Sequence, residues 1–149
     1  MKELNYNDLN KIEKELVNEA IKIKSYSYSP YSNYPVGAAL IDINDLIHTG
    51  CNVESADYTL STHAEMVAIN SMVKSGIHKL KSMVVVVESK TGYGLPCGLC
   101  RQKIREFAFD LDIPIFGINV DSENNIRNIY RATLAELLPW SFDVSVLNN

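Results

Sequence analysis

Two short clusters, Thr62-His63-Ala64-Glu65 and Pro96-Cys97-Gly98-Leu99-Cys100, constrain this chain more than any other feature, because their chemistry is useful only in a fold that brings them together. One imidazole and two thiols supply three ligands of the softness that zinc accepts, and a carboxylate two residues from the His can move protons beside an open fourth position. Cys97 and Cys100 are three apart at the start of a predicted helix, so both thiols lie on one face. The positive end of that helix favours thiolate over thiol.

Each cluster alone has an ordinary explanation. The Cys pair divides evenly between a metal site and a redox Cys-x-x-Cys. His63 by itself reads as a packed or surface histidine. Thr62-x-x-Glu65 fits a capping box, in which the Glu side chain bonds back to the Thr62 N–H and does nothing chemical.

Composition narrows the setting. A chain of 149 residues with 46% hydrophobic and 21% charged residues is the size of one ordinary folded domain, and a single domain over 1–149 is expected. Fourteen Lys and Arg against eighteen Asp and Glu leave a net charge of -4, no footprint for a phosphate backbone, so a nucleic-acid partner is not expected. The start lacks the apolar core of a signal peptide and no later run is long enough to span a membrane, so a cytoplasmic protein without membrane association is expected. Three cysteines, two of them in the Cys-x-x-Cys pair, suit a reducing compartment better than a disulfide framework.

Periodicity orders the elements. Leu9, Ile12, Leu16, Ala20 and Ile23 recur at helical spacing from about Asp8 to Ser25. A loop rich in Tyr, Ser and Pro follows, then a hairpin of Val36 to Ile43 and Leu46 to Asn52 about a tight Asn44-Asp45 turn. A helix from about His63 to Lys74 stops at Ser75-Gly76. Met83 to Val87 is a continuous β-branched run, the pattern of a central strand covered on both faces. Pro96 suits the first turn of a third helix reaching about Phe109. Ile113 to Val120 and Ile126 to Arg131 read as strands, Thr133 to Leu138 as a short helix, and Pro139-Trp140-Ser141-Phe142 as an ordered apolar tail. This order argues for a three-layer α/β/α sandwich around a mixed five-stranded sheet.

The coincidence of His-x-Glu at one helix start with Pro-Cys-x-x-Cys at the next is the signature of zinc nucleobase deaminases. Between about Tyr26 and Phe142 the chain resembles the cytidine deaminase family in its short-chain, homotetrameric form. Beyond the zinc signature the likeness includes Pro30-Tyr31-Ser32-Asn33-Tyr34-Pro35-Val36-Gly37-Ala38-Ala39, Gly50-Cys51-Asn52-Val53-Glu54, Cys97-Gly98-Leu99-Cys100-Arg101-Gln102 and Leu137-Leu138-Pro139.

That resemblance implies one zinc per chain held by His63, Cys97 and Cys100, and Glu65 as the group that moves protons while cytidine and deoxycytidine are hydrolysed to uridine, deoxyuridine and ammonia in pyrimidine salvage. It implies Asn52 and Glu54 at the ribose, Tyr34 against the pyrimidine face where the family usually has Phe, and the backbone of Ala64 and Leu95 at the polar edge of the base. Tyr58 and Phe142 match positions at the site's edge, partly across a subunit interface. The implied partners are a small pyrimidine nucleoside and further copies of the chain in a homotetramer. Without the resemblance, Asn52 and Glu54 would read as solvated residues at a hairpin end.

Two departures stand out. Many short-chain members have Cys-Ala-Glu-Arg where this chain has His63-Ala64-Glu65-Met66. Three thiolates on a zinc dication leave a charge of -1 for the Arg to offset; a neutral His with two thiolates leaves none, so Met66 can simply pack. Leu95 stands where Ser commonly precedes the Pro. His48, His78, Trp140 and Cys51 read as packing or surface residues. The competing functions are a related deaminase acting on blasticidin S or a tRNA base, and a non-catalytic, zinc-stabilised binding protein.

Overall fold

The computed structural model describes residues 1–147. The chain runs β1 (Lys2–Leu4), α1 (Lys11–Lys24), β2 (Val36–Asp42), β3 (Ile47–Cys51), α2 (Ala64–Lys74), β4 (Leu80–Glu88), α3 (Gly98–Phe107), β5 (Pro114–Val120), β6 (Ile126–Thr133) and α4 (Leu134–Leu137). The strands form one mixed sheet in the order β1-β6-β5-β4-β2-β3. Only β4 and β5 are parallel; the other pairs are antiparallel.

Helices cover both faces. On one, Leu16, Val17 and Ala20 of α1 pack with Ala39, Val84, Val86, Phe116 and Ile118. On the other, Ala64, Ala68, Ile69 and Met72 of α2 and Ile104 of α3 pack with Ala38, Leu40, Met83, Val85 and Ile115. Strand β4 therefore sends alternate residues into two cores, and this is why its run is apolar throughout. Each such side chain, fully buried, is worth about 1.5–3 kcal/mol.

The sandwich matches the sequence expectation, with a sixth strand in place of five. β1 is three residues long and pairs with the edge of β6, Leu4 opposite Ile129. A three-residue edge strand beginning Lys2-Glu3 carries no periodicity to read. The first helix starts at Lys11 instead of Asp8 because Asn10 and Glu13 form a capping box, each side chain bonding the other's backbone N–H. The hairpin connection is longer than the tight turn expected: Asp42 Oδ1 accepts from the Asn44 and Leu46 amides at 2.7 and 3.1 Å. Asp42 Oδ2 meets His48 Nε2 at 2.8 Å, both side chains buried, so His48 is a partnered structural residue. Helix α3 ends before Phe109 because the Phe109 N–H is taken by the Leu80 carbonyl at 2.9 Å. The tail is tied down through polar groups: Gln102 donates to the Phe142 carbonyl, and Arg105 reaches Ser141 and Asp143. Trp140 is fully exposed instead of packed.

One glycine sets where α2 lies. A Cβ at Gly50 would stand 2.4 Å from the Ala68 amide nitrogen and 2.5 Å from the Ala64 carbonyl oxygen. The bare backbone lets α2 sit directly on β3, its first turn above the end of the hairpin.

Candidate active site

Helices α2 and α3 point their N-termini at the same place, and the residue at each N-cap is one of the three ligand candidates. His63 caps α2 and Cys97 caps α3, and neither side chain makes a capping hydrogen bond. Both stay available, and Cys100 joins them from the first turn of α3. His63 Nδ1 lies 3.4 Å from Cys97 Sγ and 3.2 Å from Cys100 Sγ, and all three ligand atoms fall within 4.8 Å of one another. Zinc bonds of about 2.1 Å to nitrogen and 2.3 Å to sulfur, set tetrahedrally, separate their ligand atoms by roughly 3.6 Å. Burial, the Glu65 carboxylate and the Cys97 thiol together push the Cys100 thiol up. Two thiolates and a carboxylate gathered here would repel one another unless a cation shared their field. Donor type, separation and charge all fit zinc.

Glu65 is 5% exposed. Burial raises its carboxyl above the ordinary value, opposed by its own backbone amide, the Cys100 thiol and the His63 ring. The capping box is absent. The N-cap is His63, not Thr62, and the Thr62 N–H is already used by the Val53 carbonyl at 2.8 Å.

His63, Glu65 and Cys97 line a cavity of about 760 Å³, with Cys100 buried behind them. Val85 and Val87 of β4 line its floor, Tyr34, Asn52, Glu54 and Tyr58 one side, and Thr91 to Leu95 the other; among the described residues no Lys or Arg lines it. Asn52 and Glu54 both turn onto the Tyr-rich segment. Asn52 Nδ2 donates to the Tyr34 carbonyl at 3.0 Å, while its Oδ1 accepts from Ser27 Oγ at 2.6 Å and the Val36 amide at 2.8 Å. Glu54 accepts from the Tyr31 and Ser32 amides at 2.9 and 3.2 Å and from Ser32 Oγ. The Ser32 hydroxyl, followed by the two amides, holds the Glu54 carboxyl below its usual value against a smaller opposing effect of burial. Tyr34 is half-buried, and burial followed by the nearby Glu65 raises its phenol.

Tyr58 sits at the rim in a turn, Tyr58–Leu60, its ring edge-on to Tyr31 at 6.0 Å. Phe142 is exposed and does not line this chain's own cavity. Ala64 and Leu95 line it. The sequence reading missed Ser27 and Ser32, which hold Asn52 and Glu54. Their only signal was a Ser-rich stretch, which reads as turn formation.

A buried carboxyl beside a His-Cys-Cys cluster at two helix N-termini, on an α/β/α sandwich, defines a zinc-dependent hydrolase. The profile of the cytidine and deoxycytidylate deaminase zinc-binding region matches residues 10–113, and the chain belongs to that family. It is 36% identical over 128 residues to a cytidine deaminase of Sporosarcina psychrophila, covering 86% of this chain and 89% of that one. It is 32% identical over 134 residues to one from Halalkalibacterium halodurans, covering 90% and 96%. The crystal structure of cytidine deaminase from Burkholderia pseudomallei superposes with a TM-score of 0.75 at 30% identity, covering 93% of this chain and all of that one.

Proposed function

We propose that this chain hydrolyses cytidine and deoxycytidine to uridine, deoxyuridine and ammonia, serving pyrimidine salvage. The observation that carries the reading is the buried Glu65 beside the three-donor cluster, in a cavity whose described lining residues include two carboxyl groups and no Lys or Arg. Zinc held by His63, Cys97 and Cys100 supplies the Lewis acidity that makes water a nucleophile near neutral pH. Glu65 accepts the proton of the attacking water and passes it to ring N3 as oxygen bonds to C4. It then carries the second proton to the departing amine, so ammonia leaves and C4 becomes a carbonyl. Its raised carboxyl suits a group that must both take and give protons.

The remaining side chains orient the nucleoside. Tyr34 stacks on the pyrimidine, and the Ala64 N–H and Leu95 carbonyl meet the base's polar edge. Glu54 accepts from a ribose hydroxyl, and Asn52 offers the second hydrogen of its amide. Tyr58 stands at the edge of its own site and Phe142 at the edge of a neighbouring one in a homotetramer, a role that the exposure of both rings supports. We place the enzyme in the cytoplasm and read residues 1–149 as one domain. Among the described residues no helix is long and apolar enough to cross a membrane.

The lack of Lys or Arg among the described lining residues favours this reading over a nucleotide or a tRNA substrate, because a 5′-phosphate or a tRNA backbone would meet two carboxyl groups and no counter-charge. Turnover is followed by ultraviolet absorbance with cytidine, deoxycytidine, dCMP, adenosine and blasticidin S, with and without a zinc chelator. Turnover of both free cytosine nucleosides, lost on chelation, is expected, with dCMP at least about 100-fold poorer. No turnover of either nucleoside by zinc-loaded protein would overturn the reading.

A further inference from the structure

We infer that Asn119, outside the cavity lining, is a positioning residue that holds the cavity wall from Thr91 to Leu95 in its substrate-binding position. The inference rests on the nucleoside deaminase reading. Asn119 is on β5 and 1% exposed. In the parallel register it lies beside Val87, and Gly117 beside Val85, so these two positions stand on the next strand, level with the two valines that line the cavity. There the sheet surface changes character. Gly117 has no side chain, and Asn119 presents an amide where β4 presents valines.

The segment between β4 and α3 folds down onto this spot. A Cβ at Gly117 would stand 2.1 Å from the Tyr93 carbonyl oxygen and 2.9 Å from the Leu95 amide nitrogen, so backbone rests directly on backbone. Gly94 has φ +62, and a Cβ there would meet Asn119 Oδ1 at 3.0 Å. Asn119 Nδ2 donates to the Gly92 carbonyl at 2.8 Å. Its Oδ1 is buried without a hydrogen-bond partner among the described residues. An orphaned buried acceptor destabilises the fold. A residue serving stability alone at this position would be apolar, whereas the observed amide accepts that cost and grips the wall through its donor. Tyr93 adds a second tether, its ring edge-on to Tyr130 at 5.0 Å. Leu95, at the end of the wall, leads directly into Pro96 and the Cys97 cap.

Asn119→Leu keeps the branched heavy-atom outline with a somewhat larger side chain, removes the grip and removes the orphaned oxygen. In zinc-loaded enzyme, KM for cytidine is expected to rise about tenfold with kcat within about threefold, zinc content unchanged and a single cooperative thermal transition retained. An unchanged KM, or loss of zinc with a matching fall in kcat, would overturn the inference. Gly94→Ala, which pushes the same wall away from β5, should raise KM similarly and tests the idea should the first variant fold poorly. The double variant should resemble either single one, because the wall is already released; multiplying effects would mean that the two sites act independently. Cytidine turnover by the parent enzyme is the control for the deaminase reading, so its absence would be distinguishable from failure of this inference.

Discussion

The Thr62 N–H donates to the Val53 carbonyl oxygen at 2.8 Å, and Val53 returns its own N–H to the Thr62 carbonyl at 2.9 Å. This two-way bridge moves the N-cap of α2 one residue on, from Thr62 to His63, and denies Glu65 the donor that a capping role needs. Glu65→Gln is therefore expected to lower kcat by about 100- to 10,000-fold, the usual worth of a general acid–base group, while zinc content and thermal stability hold. Loss of stability with turnover intact would restore the cap.

The His at position 63 and the Met at 66 are linked by charge. Replacing the neutral imidazole by a third thiolate makes the metal cluster anionic, and nothing at Met66 offsets it. His63→Cys alone is expected to be about 10- to 100-fold less active than His63→Cys with Met66→Arg, with metal content measured in both. Equal activities would sink the charge argument.

Glu54 is held by Ser32 before any substrate arrives. Ser32→Ala removes one donor and leaves the two amides, so KM for cytidine should rise by about threefold with kcat little changed. Glu54→Gln, which weakens both the loop contacts and the acceptor for the sugar, should raise KM by at least about tenfold. Steady-state kinetics with cytidine check both; a Ser32→Ala effect as large as that of Glu54→Gln would mean that the carboxylate acts only through the loop.

Asp42 gives the protein an acid limit far from the active site. Burial alone would raise its carboxyl, but the His48 ring and the Leu46 and Asn44 amides outweigh burial and leave it below the ordinary value. A carboxyl depressed on folding contributes stability that is fully present above about pH 4 and is lost as the pH falls below that. Asp42→Asn should cost about 3 kcal/mol at pH 7 and flatten the loss of stability below pH 4. Denaturant titrations at several pH values test this; identical acid slopes in variant and parent would refute it.

Residue identity and spacing alone settled a good deal. The run from Met83 to Val87 marked the central strand, because only a strand buried on both faces tolerates uninterrupted apolar residues. The His-x-Glu and Cys-x-x-Cys clusters, each at a helix start, pointed to the three grouped donors and the carboxyl beside them, because helix geometry over a few residues is local. Tertiary structure decided what depends on backbone groups meeting across long separations. Whether Thr62 or His63 caps α2 turned on Val53, where α3 ends turned on Leu80, and Asn52 and Glu54 found their partners more than a dozen residues away in the Tyr-rich segment. Gly117 and Asn119 look like an interruption in a strand until the loop after β4 is laid against them. No pattern within β5 encodes that contact, since the groups it serves belong to a different stretch of chain.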